Sequence, residues 1–218
     1  MSFPVNINEP LTARWRSFAD RYSTPGGSDF VLAWINLESG GDPSSKGSAA
    51  GGEKGIMQVS LDEATDMGMP SDDFNFLSVP ETSSSYDPDK HYSISEQLIR
   101  FHDTQASNLL AKLGIQFSGT DYWSVVKLLH GLPSIANLGL PAFMKDNGGN
   151  PPASFGDFIN WANTTGFAAP GFTHDRTMEI LNHSANVGSF GQDSFGFTTL
   201  LILGGAAWFL YEYVWKRR

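Results

Sequence analysis

The chain of 218 residues contains no cysteine. Disulfide bonds, thiolate nucleophiles and cysteine-based zinc sites are therefore excluded, while the redox compartment is left open. Strand signals are also scarce, because few segments alternate polar and apolar residues between turn residues. Apolar residues recur instead at helical spacing, which predicts a mainly α domain. The length fits one such domain with an appendage.

Basic residues are few: 14 Lys and Arg stand against 23 Asp and Glu, for a net charge of −9. Because Lys216, Arg217 and Arg218 end the chain, the first 215 residues hold 11 basic and 23 acidic groups, a net charge of −12. An acidic body disfavours binding to phosphate backbones, so no nucleic-acid partner is expected. Residues 1–10 lack a basic segment followed by an apolar run, and no cleavable secretory signal is expected.

The C-terminal region contains a nearly uncharged apolar stretch at residues 195–215. Only Glu212 in it carries a side chain that is charged at neutral pH. As a helix, 21 residues span about 30 Å, the thickness of a bilayer core. The basic tail at 216–218 is typical of a cytoplasmic flank. We predict a transmembrane helix here, joined by a flexible linker at 186–194 to a domain at 1–185.

The domain itself divides into helical segments separated by glycine, proline and serine. Residues 39–55, with six glycines and four serines, predict a loop over a cleft, and residues 69–86 predict an irregular excursion. Ser60 to Glu63 is a capping-box pattern. We predict helices at Pro10 to Tyr22, Ser28 to Glu38, Ser60 to Gly68, Asp87 to Lys112, Thr120 to His130, Pro152 to Ala162 and His174 to Ser184.

Glu38 is the candidate catalytic residue. It ends a helix that contains Trp34, Ile35 and Leu37, and it precedes the glycine-rich loop. A carboxyl group acts as a general acid at neutral pH only if a desolvated setting raises its pKa. We therefore expect a raised pKa for Glu38. The alternative reading of the local pattern is an ordinary helix-terminal carboxylate near solvent.

Two short motifs resemble the signature of the lytic transglycosylase and goose-type lysozyme superfamily. They are Glu38-Ser39-Gly40-Gly41-Asp42-Pro43 and Gly55-Ile56-Met57-Gln58-Val59. The similarity continues through Glu63-Ala64-Thr65 and Asp87-Pro88, and covers roughly residues 29–113. The resemblance implies a lysozyme-like helical fold. It also implies cleavage of the β-1,4 bond between N-acetylmuramic acid and N-acetylglucosamine in peptidoglycan.

The resemblance also implies a role for each motif residue. Glu38 would protonate the glycosidic oxygen and then take the proton of the muramoyl 6-hydroxyl, which leaves a 1,6-anhydro end. Ser39 would orient Glu38 by a hydrogen bond, while Gly55, Met57 and Gln58 would line the sugar cleft. No cofactor is expected for this chemistry.

One departure from the family pattern lies near His130. The family has an Ala-Tyr-Asn-like motif here, whereas this chain reads Leu129-His130-Gly131. We predict that His130 lies in the cleft and contacts substrate, the alternative being a histidine that caps the end of its helix. The altered motif also leaves open a peptidoglycan-binding or structural protein without turnover.

A hydrolase of the lysozyme type would need a second carboxylate to hold a water molecule. The candidates in the sequence are Asp42, Asp62 and Glu63. Asp42 more simply caps a turn, and Asp62 and Glu63 serve the N-terminus of the next helix. Transglycosylation is therefore favoured over hydrolysis.

The histidines show no metal-binding motif. His174 and His183 lie nine positions apart, which is not a chelating i, i+4 pair, so no metal site is expected. The expected partners are peptidoglycan strands, a lipid membrane through residues 195–215, and other virion proteins. A wall-cleaving domain with a membrane anchor and no secretory signal suggests a phage particle that carries the protein in its membrane or entry apparatus.

Overall fold

The computed structural model describes residues 4–47 and 52–192. Within these residues the protein is mainly helical, which confirms the predicted mainly α class, and contains only isolated β-bridges at Lys46, Lys54 and Val59. The helices are α1 (Pro10–Ala13), α2 (Arg16–Arg21), α3 (Gly27–Ser39), α4 (Leu61–Asp66), α5 (Ser71–Phe76), α6 (Pro88–Leu113), α7 (Gly119–Gly131), a π-helix (Ile135–Gly139), α8 (Leu140–Asp146), α9 (Phe155–Thr165) and α10 (His174–Gly188).

Helix α3 forms the centre of the core. Every residue from Phe30 to Ile35 is fully buried, so the helix is enclosed on all of its faces rather than along one stripe. Helices α1, α2 and α10 pack against it. Gly40 ends the helix in the left-handed conformation. This burial fixes the position of Glu38, which lies one turn after Trp34.

Helices α6, α7 and α10 complete the scaffold. The Asp87 side chain accepts hydrogen bonds from the amides of Asp89 and Lys90 and so starts the 26-residue helix α6, as the sequence predicts. Helix α7 packs against both α6 and α10. These contacts bring the middle of α6 and the end of α7 next to the end of α3.

Several elements differ from the sequence predictions. The first predicted helix divides into α1 and α2 near Trp15, whose indole donates a hydrogen bond to the Gly41 carbonyl. Helix α5 lies inside the stretch predicted as irregular, and the π-helix and α8 lie where no helix was predicted. Pro70 and Pro141 both stand at helix beginnings, where the missing amide is harmless.

The predicted linker begins too early. Helix α10 continues to Gly188, and the Gln192 amide donates a hydrogen bond to the Gly26 carbonyl at 3.1 Å. A Cβ at Gly188 would lie 2.0 Å from the Ser124 hydroxyl oxygen. The glycine therefore allows close packing of α10 on α7, and residues 186–192 belong to the domain.

Within residues 4–47 and 52–192, no helix is both long enough and apolar enough to cross a bilayer. The transmembrane helix predicted at 195–215 and the basic tail at 216–218 lie outside the described residues, as do residues 48–51 of the glycine-rich loop. The membrane anchor stays a prediction from the sequence.

Candidate functional site

Glu38 lines a cleft of about 420 Å³. The last turn of α3 presents this side chain, which is 21% exposed. A second cavity of about 520 Å³, beside Gly26 and Trp123, contains none of the candidate residues. The polar groups that lie in the cleft with Glu38 include Gln58, Glu63, His102, Lys127 and His130.

Glu38 forms a buried ion pair with Lys127. The Lys127 Nζ lies 2.6 Å from the Glu38 Oε1, and the lysine side chain is only 5% exposed. His130 Nε2 lies 3.4 Å from the same oxygen. Burial by itself raises the pKa of Glu38, but the positive charges of Lys127 and His130 outweigh that effect and lower the pKa to about 2. Glu38 is thus a carboxylate at neutral pH.

The prediction of a raised pKa for Glu38 is therefore wrong for the protein as described. The apolar helix that precedes it is present, and Trp34 is fully buried. However, α7 brings an ammonium group to the carboxylate and holds it over the Trp34 ring at 5.2 Å. The positive charge of a residue that is distant in sequence thus outweighs the effect of burial on the pKa of Glu38.

A second carboxylate, Glu63, lies on the other side of His130. Its Oε1 is 2.8 Å from His130 Nδ1 and 3.0 Å from His102 Nε2. Burial alone would lower the pKa of His130, but the charges of Glu63 and Glu38 raise it to about 9. A His130 ring with a proton on both nitrogens therefore bridges the two carboxylates at neutral pH.

The segment from Gly55 to Gln58 is a tight turn beside the end of α3. Lys54 and Val59 pair their backbones across it, and His91 Nε2 accepts a hydrogen bond from the Ile56 amide at 3.3 Å. The Gln58 side chain donates to the Gly55 carbonyl at 2.7 Å. These contacts hold Gln58 against the cleft in a fixed backbone conformation.

The motif residues have different positions in the site. Gln58 and His130 line the cleft with Glu38. Met57 is instead fully buried in the core and does not line the cleft. Gly55 shapes the turn and lies outside the cleft lining.

Ser39 also differs from its predicted role. Its hydroxyl donates to the carbonyls of Ile35 and Ile56, at 3.2 and 2.9 Å, and accepts from the Gly41 amide. These bonds, rather than one to Glu38, engage the hydroxyl. Ser39 therefore ties the end of α3 to the Gly55–Gln58 turn and positions Glu38 only through the backbone.

The three candidates for a second carboxylate occupy different positions relative to the cleft. Asp42 accepts a hydrogen bond from the Ser44 amide at 2.8 Å in a turn and lies outside the cleft lining. Asp62 lines the cleft from the first turn of α4. Glu63 completes the predicted capping box with Ser60, which is confirmed, and also reaches the histidines with its other oxygen.

The sequence did not indicate three further side chains of the site, those of Lys127, His102 and Gln105. Gln105 lies 2.9 Å from His102 Nδ1, and both residues belong to α6. One signal was available: Lys127 is the only charged residue in the apolar run from Val125 to Leu129. A lysine at such a buried position requires a partner.

No family model, curated protein or solved structure matches the chain. The lysozyme-like fold and the wall-cleaving activity are therefore proposals that depend on the sequence motifs and on the geometry of the site. That geometry consists of a cleft in which two histidines and one lysine contact two acidic side chains.

Proposed function

We propose that the cleft cleaves the β-1,4 bond between N-acetylmuramic acid and N-acetylglucosamine in peptidoglycan, with Glu38 as the proton donor. One observation carries the proposal. Glu38, Gln58 and His130 come from separate segments of the chain, and all three line the same cleft. Glu38 and Gln58, which belong to the two motifs, thus share with His130, which stands where the family motif is altered, a cleft with room for a saccharide.

The proposed reaction is an intramolecular transglycosylation. The Glu38 carboxyl group gives its proton to the glycosidic oxygen as the bond from C1 to that oxygen breaks, through an oxocarbenium-like transition state. The muramoyl 6-hydroxyl then forms a bond to C1 and returns its proton to Glu38. The product carries a 1,6-anhydro end, and water takes no part.

The charge state of Glu38 adds one requirement to this scheme. Because the carboxylate is paired with Lys127 and His130, it must gain a proton when substrate binds. A saccharide that excludes water from the cleft penalises separated charges and favours neutral groups. His130, whose Nε2 lies 3.4 Å from the Glu38 Oε1, can supply this proton.

A non-catalytic peptidoglycan-binding or structural virion protein is the second candidate function. The observation that favours it is the lowered pKa of Glu38, about 2, because a permanently ionised carboxylate cannot act as an acid. A hydrolytic lysozyme is the third, favoured by Glu63, which lies in the same cleft on the far side of His130.

Digestion of purified peptidoglycan separates these functions. The full chain and its Glu38→Gln variant would be incubated with the polymer, and released fragments identified by mass spectrometry. We expect 1,6-anhydromuramoyl fragments from the unmodified protein and a rate at least about 100-fold lower for the variant. Asp62→Asn is the matched control, since Asp62 lines the cleft without a hydrogen bond to Glu38, and should keep the activity.

Other outcomes identify the alternatives. Reducing ends from the unmodified protein alone would indicate a hydrolase and point to Glu63 as the residue that holds water. Equal binding of both proteins to peptidoglycan without release of fragments would overturn the enzymatic proposal in favour of the binding function.

The proposed place of action is the bacterial cell envelope, reached from a phage particle. The support is the apolar stretch at 195–215, which would anchor the domain in a virion membrane. Purified virions should contain the protein, and detergent should release it from them. Its presence only in uninfected cells would contradict this location.

A further inference from the structure

Three side chains from three helices converge beside the cleft. They are Glu63 of α4, His102 of α6 and His130 of α7, and one potential ligand atom of each lies within 4.8 Å of the other two. The Glu63 Oε1 is close to both imidazoles, at 2.8 and 3.0 Å. Two histidines and one carboxylate are a ligand set that zinc uses when a fourth position stays open.

The Glu63 carboxylate oxygen that faces away from the histidines already accepts two hydrogen bonds. The Glu63 Oε2 accepts hydrogen bonds from the Ser60 amide at 3.1 Å and from the Ser60 hydroxyl at 2.9 Å. The orientation of the carboxylate is thus set by the capping box, and Oε1 is left to face the two imidazoles. Metal-binding carboxylates are held by such hydrogen bonds.

Each histidine likewise has a partner on its far nitrogen. His102 Nδ1 faces the Gln105 Oε1 at 2.9 Å, and His130 Nε2 faces the Glu38 Oε1 at 3.4 Å. Metal-bound histidines characteristically donate their second N–H to a carboxylate or a carbonyl oxygen. Both rings are therefore oriented as metal ligands are oriented.

The contact between His102 and Glu63 favours a cation between them. A neutral His102 that donates its Nδ1–H to Gln105 presents a bare nitrogen to the Glu63 oxygen, and two lone pairs then face each other. A metal ion removes this repulsion. Without a metal ion, the contact requires either a second proton on His102 or a Gln105 amide whose oxygen and nitrogen have exchanged places.

The cleft also attracts cations. It is lined by five carboxylates against two strongly basic side chains, and Glu63, His102 and His130 all border it, so an ion can enter from solvent. The carboxylates are Glu38, Glu53, Asp62, Glu63 and Asp66, and the basic side chains are Lys127 and Arg176.

We propose that Glu63, His102 and His130 bind one divalent transition-metal ion, for which zinc is the best match, with the fourth position toward the cleft. Ligand atoms about 2.0–2.1 Å from a tetrahedral zinc lie roughly 3.3 Å from one another. The two contacts of the Glu63 Oε1 must open by a few tenths of an ångström, and the ligand nitrogens of His102 and His130, which lie within 4.8 Å of each other, must come to the same spacing. His130 belongs to both this site and the proposed catalytic site, but metal binding requires no substrate and can be measured separately from glycan cleavage.

The test is a calorimetric titration of the chelator-treated full chain with Zn²⁺. We expect one equivalent to bind with a Kd of about 1 µM or below, and Co²⁺ to give the visible absorption of a low-coordinate site with nitrogen ligands. His102→Gln and Glu63→Gln keep similar size and hydrogen bonding but remove a ligand, and should weaken binding about 100-fold. His183→Gln alters a histidine that lines the cleft outside the cluster, and should bind normally.

The outcomes distinguish the site from a network of hydrogen bonds. Thermal unfolding without metal checks that each variant is folded, and zinc should raise the melting temperature only of the chains that keep all three ligands. Absence of zinc binding at millimolar concentration, or binding unchanged in both His102→Gln and Glu63→Gln, would overturn the proposal. Loss of binding in His183→Gln would place the ion elsewhere.

Discussion

Lys127 Nζ and Glu38 Oε1 are 2.6 Å apart, and the lysine side chain is 5% exposed. This contact joins the end of α7 to the end of α3 in a region where little water can solvate either charge. The ion pair therefore determines both the charge state of Glu38 and part of the stability of the site.

Removal of the ammonium group should destabilise the fold. Lys127→Met leaves the Glu38 carboxylate with His130 as its remaining cationic contact, and loss of one partner of a buried ion pair costs about 3 kcal/mol. Urea unfolding at pH 7 measures the change. In the double variant with Glu38→Gln, at least about 1 kcal/mol should be recovered, because no unpaired charge remains. Equal stability of the single and double variants would show that the two residues are not coupled.

Stability should fall in mild acid because of His91. Burial, aided by the positive charge of Arg14, lowers its pKa from 6.5 to about 4 in the folded protein. A lowered pKa means that the unfolded chain binds the proton more tightly, so this contribution is complete above pH 6.5 and is lost as the pH falls toward 4. The loss amounts to about 3 kcal/mol at most.

Urea unfolding of the unmodified protein and of His91→Gln at pH 7 and pH 4.5 checks this effect. Glutamine keeps an acceptor for the Ile56 amide but does not titrate, so its free energy of unfolding should fall less between the two pH values. Parallel losses in both proteins would assign the acid sensitivity to other groups.

Two adjacent glycines should respond differently to alanine. A Cβ at Gly41 would lie 2.2 Å from the Leu11 carbonyl oxygen, and φ is +88° there. At Gly40 φ is +63°, and nothing lies within 4 Å of an added Cβ. Gly40→Ala should therefore cost about 1 kcal/mol for its backbone conformation alone, whereas Gly41→Ala should cost about 3 kcal/mol. Similar melting temperatures for the two variants would contradict the close approach of α1.

The hydroxyl group of Ser39 should contribute to the stability of the fold. Ser39→Ala removes the bond to the Ile56 carbonyl and should lower the free energy of unfolding by about 1 kcal/mol. Ser39→Thr keeps the hydroxyl and should lose less. If the proposed activity is present, the alanine variant should also cleave peptidoglycan more slowly, because the turn that carries Gln58 is no longer tied to α3. An alanine variant as stable and active as the threonine variant would rule out this role.

Local patterns in the sequence predicted much of the helical framework. The capping box at Ser60 and Glu63, the start of α6 at Asp87 and the buried apolar run of α3 depend on residues within one or two turns of each other. Helices α5 and α8, which begin next to Pro70 and Pro141, and the packed segment after Ser184 were missed. In those places the same residue types serve a turn in one context and a helix start or a close contact in another.

The sequence by itself determined two candidate residues of the site: Glu38 at the end of an apolar helix, and Gln58 in a turn that begins with glycine. Only the tertiary structure decided their electrostatic environment. Lys127 and His130 reach Glu38 from α7, and His102 reaches Glu63 from α6. Coulomb interactions depend on distance in space, and spacing along the chain does not report that distance once helices pack side by side.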